Sequence, residues 1–244
     1  MSDPRQAVIG RRLERVGVVV AFCSAKGGVG KSFTTAAAGV ALAREGRRVG
    51  VLDVDFSGAS VHLFLGVRPG LPQEEKGILP ISAAPNLWLM TAAAFTGERA
   101  LPLRGAAVSD AILELMAVTQ WGPLDALLLD MPPGIADSVL DIARWVPHLR
   151  AVVLSTPETV SVAVAERLLT LLVEMKVDVA GVMATMVRAE AGPVVRMATR
   201  HLVTFAGSVP FDPAVETAVG RPEALADCEA TRSVRASLRA VGLW

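Results

Sequence analysis

The 244-residue chain has little cysteine: Cys23 and Cys228 alone, 205 positions apart. That excludes a disulfide framework and a sequence-local metal knuckle, and it suits a reducing cytoplasm. Net charge is absent, since 24 Lys+Arg balance 24 Asp+Glu. A polybasic nucleic-acid arm or an acidic tail is thereby excluded as the main feature. No uncharged apolar run approaches the ~18 residues of a membrane span. There are no internal repeats, low-complexity tracts or linker-like stretches. His62, His148 and His201 share no metal-ligand spacing. Lysine is scarce, four against twenty arginines, yet Lys26 and Lys31 sit within six residues of each other. Clustering of an otherwise avoided residue points to a lysine-specific task.

What is present is apolar. Hydrophobic residues make up 52% of the chain, enough for a sizeable core and too many for disorder. Residues 11–22 run from basic to apolar, as a signal peptide does. Cleavage near Ala25 would remove the front of a glycine-rich loop, so a surface helix followed by a buried strand is the better reading. Asp3-Pro4 reads as an N-cap and first helical position, which predicts a helix over 4–14. Apolar β-prone runs predict strands at 16–23, 49–53, 87–90, 124–129, 151–154, 177–183 and 202–205. Helices are expected at 31–45, 106–119, 158–175, 190–200 and 223–240. Pro69, Pro72, Pro80 and Pro85 mark 66–86 as an irregular excursion. This alternation predicts an α/β fold, a mostly parallel sheet with helices on both faces. One domain over 1–244 is expected, with an N-terminal helix in 1–15 and a C-terminal helix in 223–244.

Ser24-Ala25-Lys26-Gly27-Gly28-Val29-Gly30-Lys31-Ser32 follows a strand and opens a helix, the context a phosphate-binding P-loop requires. Glycines let backbone N–H groups turn around phosphate oxygens without Cβ clashes. The helix N-terminus adds partial positive charge. Lys31 would reach the β- and γ-phosphates, and the Ser32 hydroxyl would ligate Mg²⁺. Asp53 and Asp55 end the second strand and Asp130 a later one. Carboxylates at the carboxyl ends of parallel strands border the ligand crevice, and Mg²⁺ takes one or two of them. Each aspartate, taken singly, also reads as a strand-end cap.

The Lys26–Lys31 core resembles the deviant Walker A loop of the MinD/ParA/Mrp class of ATPases. The resemblance implies a Rossmann-like three-layer P-loop fold and a homodimer closed around ATP, with Lys26 acting across the interface. Two departures matter. Ala25 replaces the first glycine of the usual pattern. Phe33 stands where a Thr or Ser hydroxyl usually meets the α-phosphate, so that contact is lost or passes to Thr34. Val51–Ser60, Asp130–Gly134 with Asp137, Arg104-Gly105, Trp121-Gly122, Ser208–Pro213 and Gly220–Pro222 narrow the resemblance to the Mrp/ApbC/Nbp-type subfamily. It covers residues 9 to 224.

The resemblance assigns catalysis to Lys26, Lys31 and Asp55, with Asp55 positioning or activating the attacking water. It assigns the metal to Ser32, Asp55 and Asp130. Nucleotide contacts fall to Lys26, Gly27, Gly28, Val29, Gly30, Lys31, Ser32, Phe33, Gly134, Thr185, Pro210 and Asp212. Gly134 would sense the γ-phosphate through its N–H, and Thr185 replaces the asparagine that usually recognises adenine. Mrp-type proteins carry iron–sulfur clusters on a Cys-Pro-x-Cys motif just after the strand that here ends Gly181–Met186. Residues 187–192 contain no cysteine, which counts against a bound cluster, since such clusters need thiolate ligands. Cys23 reads as a buried small hydrophobe, and one further thiol makes a poor cluster site.

The expected function is a slow, dimer-dependent, Mg²⁺-requiring ATPase that assists metallocofactor assembly or delivery without its own cluster. It would work with an unknown client protein or hetero-subunit. The alternative is a MinD/ParA-like positioning switch. Its route to a membrane would be the 229–241 helix, with Val234, Leu238 and Val241 opposite Arg232, Arg235 and Arg239. The same pattern fits a final helix packed on the sheet. A third reading is a nucleotide sensor without turnover. The basic clusters at 11–15 and 47–48 lack interleaved aromatics, so no nucleic-acid partner is expected.

Overall fold

The computed structural model describes residues 3–70, 72–96, 105–134, 137–146 and 148–244. Arg104 and the side chain of Asp137, both singled out in the sequence, lie outside the described residues. In chain order the elements are α1 (Pro4–Leu13), β1 (Val16–Cys23), α2 (Lys31–Arg44), β2 (Val49–Asp53), α3 (Val61–Phe64), β3 (Ile81–Ala84), β4 (Leu87–Thr91), α4 (Ala93–Thr96), α5 (Ala106–Val118), β5 (Leu124–Asp130), α6 (Asp137–Trp145), β6 (Leu149–Ser155), α7 (Thr159–Glu174), β7 (Asp178–Val187), α8 (Gly192–Arg200), β8 (Phe205–Pro210), α9 (Ala214–Ala218), α10 (Pro222–Asp227) and α11 (Glu229–Ala240).

The strands form one eight-stranded sheet in the order β3-β4-β2-β5-β1-β6-β7-β8. Every described pairing is parallel except β3 with β4. Alternation along each strand divides the core between two faces. Val19, Ala21, Leu52, Leu127 and Leu129 pack on one side with α5, α6, α7 and α8. Val20, Phe22, Val51 and Leu128 pack on the other with α2, α10 and α11. Burial on both faces explains why these strands read as unbroken apolar runs. Gly50 in β2 is required by close approach: a Cβ there would meet the Trp121 ring at 2.8 Å.

The structure departs from the sequence reading in four places. The 66–86 excursion contains β3, an antiparallel edge strand flanked by Pro80 and Pro85, and prolines are tolerated there because an edge strand leaves donors unpaired. The strand expected at 202–205 lies at Phe205–Pro210, and Leu202 turns the chain with φ +55. The helix expected at 223–240 breaks at Cys228, whose ψ of 145° separates α10 from α11. Helices α3, α4, α6 and α9 were not anticipated.

Val234 and Leu238 of α11 are fully buried against the sheet. Arg235 and Arg239 both pair with Glu45 at the end of α2. The apolar side that the alternative reading sends to a membrane is therefore part of the core. No helix among the described residues is long and apolar enough to cross a membrane.

Candidate functional site

Strand β1 lies between β5 and β6, so the loop after Cys23 emerges at the middle of the sheet's carboxyl edge. Gly28 and Gly30 adopt φ +78 and +81, left-handed values that side chains resist. Gly30 is the N-cap of α2, and no side chain among the described residues caps that helix. Its first N–H groups are thus available to a ligand at the positive end of the helix. A cleft of about 460 Å³ opens over this loop. The Ser24 hydroxyl is buried without a hydrogen-bond partner among the described residues and borders the cleft.

Beneath the loop, three side chains of α2 converge on one carboxylate. Lys31 Nζ lies 2.9 Å from Asp130 Oδ1. Ser32 Oγ donates to Asp130 Oδ2 at 2.6 Å, and Thr35 Oγ1 donates to Oδ1 at 3.0 Å. Asp130 is fully buried and Lys31 is 7% exposed. Burial pushes the Asp130 carboxyl up from its ordinary value, while Lys31, Ser32 and Thr35 work in the opposite direction by favouring the anion. Asp53, its register partner on β2, is pushed up to about 7, by burial first and by Asp130 second. Asp53 accepts from the N–H groups of Asp55, Ser60 and Val61, so it folds the next loop and opens α3.

Asp55 borders the cleft. Its Oδ1 accepts from Ser57 N, Ser57 Oγ and Gly58 N, while Oδ2 makes no hydrogen bond among the described residues. Lys26, Gly27 and Gly28 are exposed at the mouth, and Lys26 has no ion pair or hydrogen bond among the described residues. Val29 is buried and offers its carbonyl to Thr185 Oγ1 at 2.8 Å. Phe33 faces the cleft and meets Phe64 edge-on at 6.0 Å. Pro210 and Asp212 line the far end.

One open alternative is decided here and one expectation is corrected. Thr34 does not take over from Phe33: it is fully buried and its hydroxyl donates to Gly30 O at 2.9 Å. The N–H of Gly134 donates to Ser24 O at 2.9 Å, so it is committed to the loop rather than open to a phosphate, and Pro133 borders the cleft instead. Sequence reasoning missed Thr35 and Ser24. Thr35 was findable, since it lies four residues after Lys31 and shares its helix face.

The donor set suits a nucleoside triphosphate with Mg²⁺: a glycine cradle, an uncapped helix, a lysine, and hard oxygens from Ser32, Asp55 and Asp130. It does not suit an iron–sulfur cluster. Residues 187–192 hold no cysteine where the resembling proteins carry the cluster-binding pair. Burial pushes the Cys23 thiol up to about 12 and also raises Cys228, which disfavours the ligating thiolate in both.

The model of the ParA-type NUBPL iron-transfer P-loop NTPase family matches residues 15–241. The chain belongs to this family of Mrp/Nbp-type P-loop ATPases. The iron–sulfur cluster carrier protein of Pseudomonas fragi is 34% identical to this NTPase over 233 residues, 88% of this chain and 81% of that protein. A nucleotide-binding protein from Archaeoglobus fulgidus, solved in complex with ADP, superposes with a TM-score of 0.76 at 27% identity, covering 90% of this chain and 92% of that one. The cell division ATPase MinD of Pyrococcus furiosus shares the fold of this NTPase, with a TM-score of 0.68 at 17% identity over 93% and 99% of the two chains.

Proposed function

We propose that this NTPase is an ATP-hydrolysing switch that closes as a homodimer around ATP and Mg²⁺. In this reading it assists metallocofactor assembly or hands a client on, without carrying a cluster itself. The observation that carries the reading is the convergence of Lys31, Ser32 and Thr35 on Asp130 beneath an uncapped glycine loop. Lys31 and the α2 N–H groups would hold the phosphates. Ser32, Asp55 and Asp130 would hold Mg²⁺, which neutralises charge on the phosphate oxygens when bound. Asp55 Oδ2, uncommitted in the described structure, would orient the attacking water or take its proton. Lys26, exposed and unpaired among the described residues, would reach the nucleotide of the partner copy and offset charge developing on the transferred phosphoryl group. Kinship with an iron–sulfur cluster carrier favours a metallocofactor client. The absence of a cysteine pair favours a second protein as holder of the cluster.

The test is Asp55→Ala, read by phosphate release and by size-exclusion chromatography with ATP. Phosphate release should fall at least about 100-fold, and a dimer should persist in ATP that in wild type decays to monomer. Equal turnover by the two proteins would remove Asp55 from the mechanism.

A further inference from the structure

The end of the cleft beyond the phosphate loop differs in chemistry from the loop. Phe33, Phe64, Val209, Pro210, Phe211 and Pro213 line it. Two of its polar side chains, Thr185 and Asp212, are committed elsewhere, and a third, Glu216, is an exposed carboxylate. Thr185 is 2% exposed, and its hydroxyl is spent on Val29 O. Both carboxylate oxygens of Asp212 are taken, Oδ1 by Ala214 N at 3.0 Å and Oδ2 by Ala230 N at 3.1 Å. Asp212 thus ties the loop after β8 to the first turns of α9 and α11.

Backbone donors are equally scarce there. Pro210 and Pro213 have no N–H. Phe211 N donates to Val187 O, Val215 N to Asp212 O and Glu216 N to Pro213 O. Much of what remains is aromatic and proline surface suited to stacking. Phe211 is 44% exposed, and the Arg188 guanidinium lies 3.7 Å from its ring centroid. Arginine on an aromatic face makes a planar platform with a cationic backing.

We infer that this chain reads its nucleotide through the phosphates and by stacking on Phe211 backed by Arg188. Neither Thr185 nor Asp212 is left to read the base edge, and Glu216 is exposed to water, so adenine and guanine nucleotides bind with comparable affinity. Phe211 is the specificity-determining residue, favouring purines over pyrimidines by stacking area. The physical basis is the contrast between two kinds of recognition. A site that hydrogen-bonds a base edge rejects the wrong partner by about 10⁴-fold, whereas stacking tolerates every base because each has a π-face. The inference rests on the phosphate-loop reading above.

The experiment is equilibrium titration of the full chain with Mg-ATP, Mg-GTP, Mg-CTP and inorganic triphosphate. ATP and GTP should bind within about five-fold of each other, and CTP about ten-fold more weakly. Phe211→Ala should weaken ATP and GTP alike by about ten-fold while moving inorganic triphosphate much less. Phe211→Trp should tighten both purines. A melting curve checks that each variant is folded, and the exposure of Phe211 makes both substitutions mild. A preference of 100-fold or more for either purine would overturn the inference, with the uncommitted Glu216 carboxylate the first suspect if guanine wins. Such a result leaves the phosphate-loop reading standing. Failure of triphosphate and every nucleotide to bind would overturn both.

Discussion

The two halves of the cleft are built from opposite materials. In the phosphate half, Lys31, Ser32 and Thr35 all bond to one buried carboxylate. In the nucleoside half, Thr185 and Asp212 turn their polar atoms into the protein and leave aromatic and proline surface facing the cleft. A buried ionic network depends on each member, because removing one leaves the others desolvated and unpaired. An apolar wall has no such dependence. Damage to the phosphate half should therefore reach the fold, while damage to the nucleoside half should stay with the ligand.

Lys31→Met should give the largest effect. It leaves Asp130 buried without its cation, which costs about 3–5 kcal/mol of stability. Melting should fall by about 6–20 °C, and ATP binding should vanish. Thermal denaturation followed by circular dichroism reads the first and titration the second. A melting point within two degrees of wild type, with binding lost, would show that the network serves the ligand alone and would break the comparison.

Thr35→Val tests the same network with almost no change of shape. One donor to a buried carboxylate is lost, a cost of about 1–3 kcal/mol. Chemical denaturation should show this before any nucleotide is added. If only nucleotide affinity changed, Thr35 would be a ligand contact rather than a support for Asp130.

Phe33→Thr probes the boundary between the halves and should have the smallest effect on the fold. Losing the edge contact with Phe64 costs about 0.5–1.5 kcal/mol. A hydroxyl at the residue after Ser32 adds one donor toward the ligand, so ATP affinity should rise about three- to ten-fold. Unchanged affinity would mean that this position does not meet the nucleotide, and the division between the halves would have to be redrawn.

Much of the site was legible because its signals are local. Glycines, Lys31 and Ser32 fall within one strand–loop–helix unit, and Asp130 ends an apolar run whose partner strands could be counted. The parallel sheet followed from the same alternation of apolar runs and helices. The sequence left open whether the contact missing at Phe33 is lost or passes to Thr34; the helix closes the second option by turning that hydroxyl back on Gly30. The edge strand Ile81–Ala84 was hidden by flanking prolines, and the break at Cys228 by the continuous helical pattern around it.

By itself the sequence determined the loop and helix start of the phosphate half: residues four or five apart acquire their geometry from backbone preferences, while the pairing of β1 with β5 brings Asp130 beneath them. The tertiary structure alone decided the nucleoside half. Thr185 is silenced by a carbonyl 156 positions away, and Asp212 by a helix start 18 residues on. Arg188 meets Phe211 only because β7 and β8 end side by side. A polar side chain's function depends on which buried group claims its hydrogen bond first, and that claim is settled when distant segments pack together.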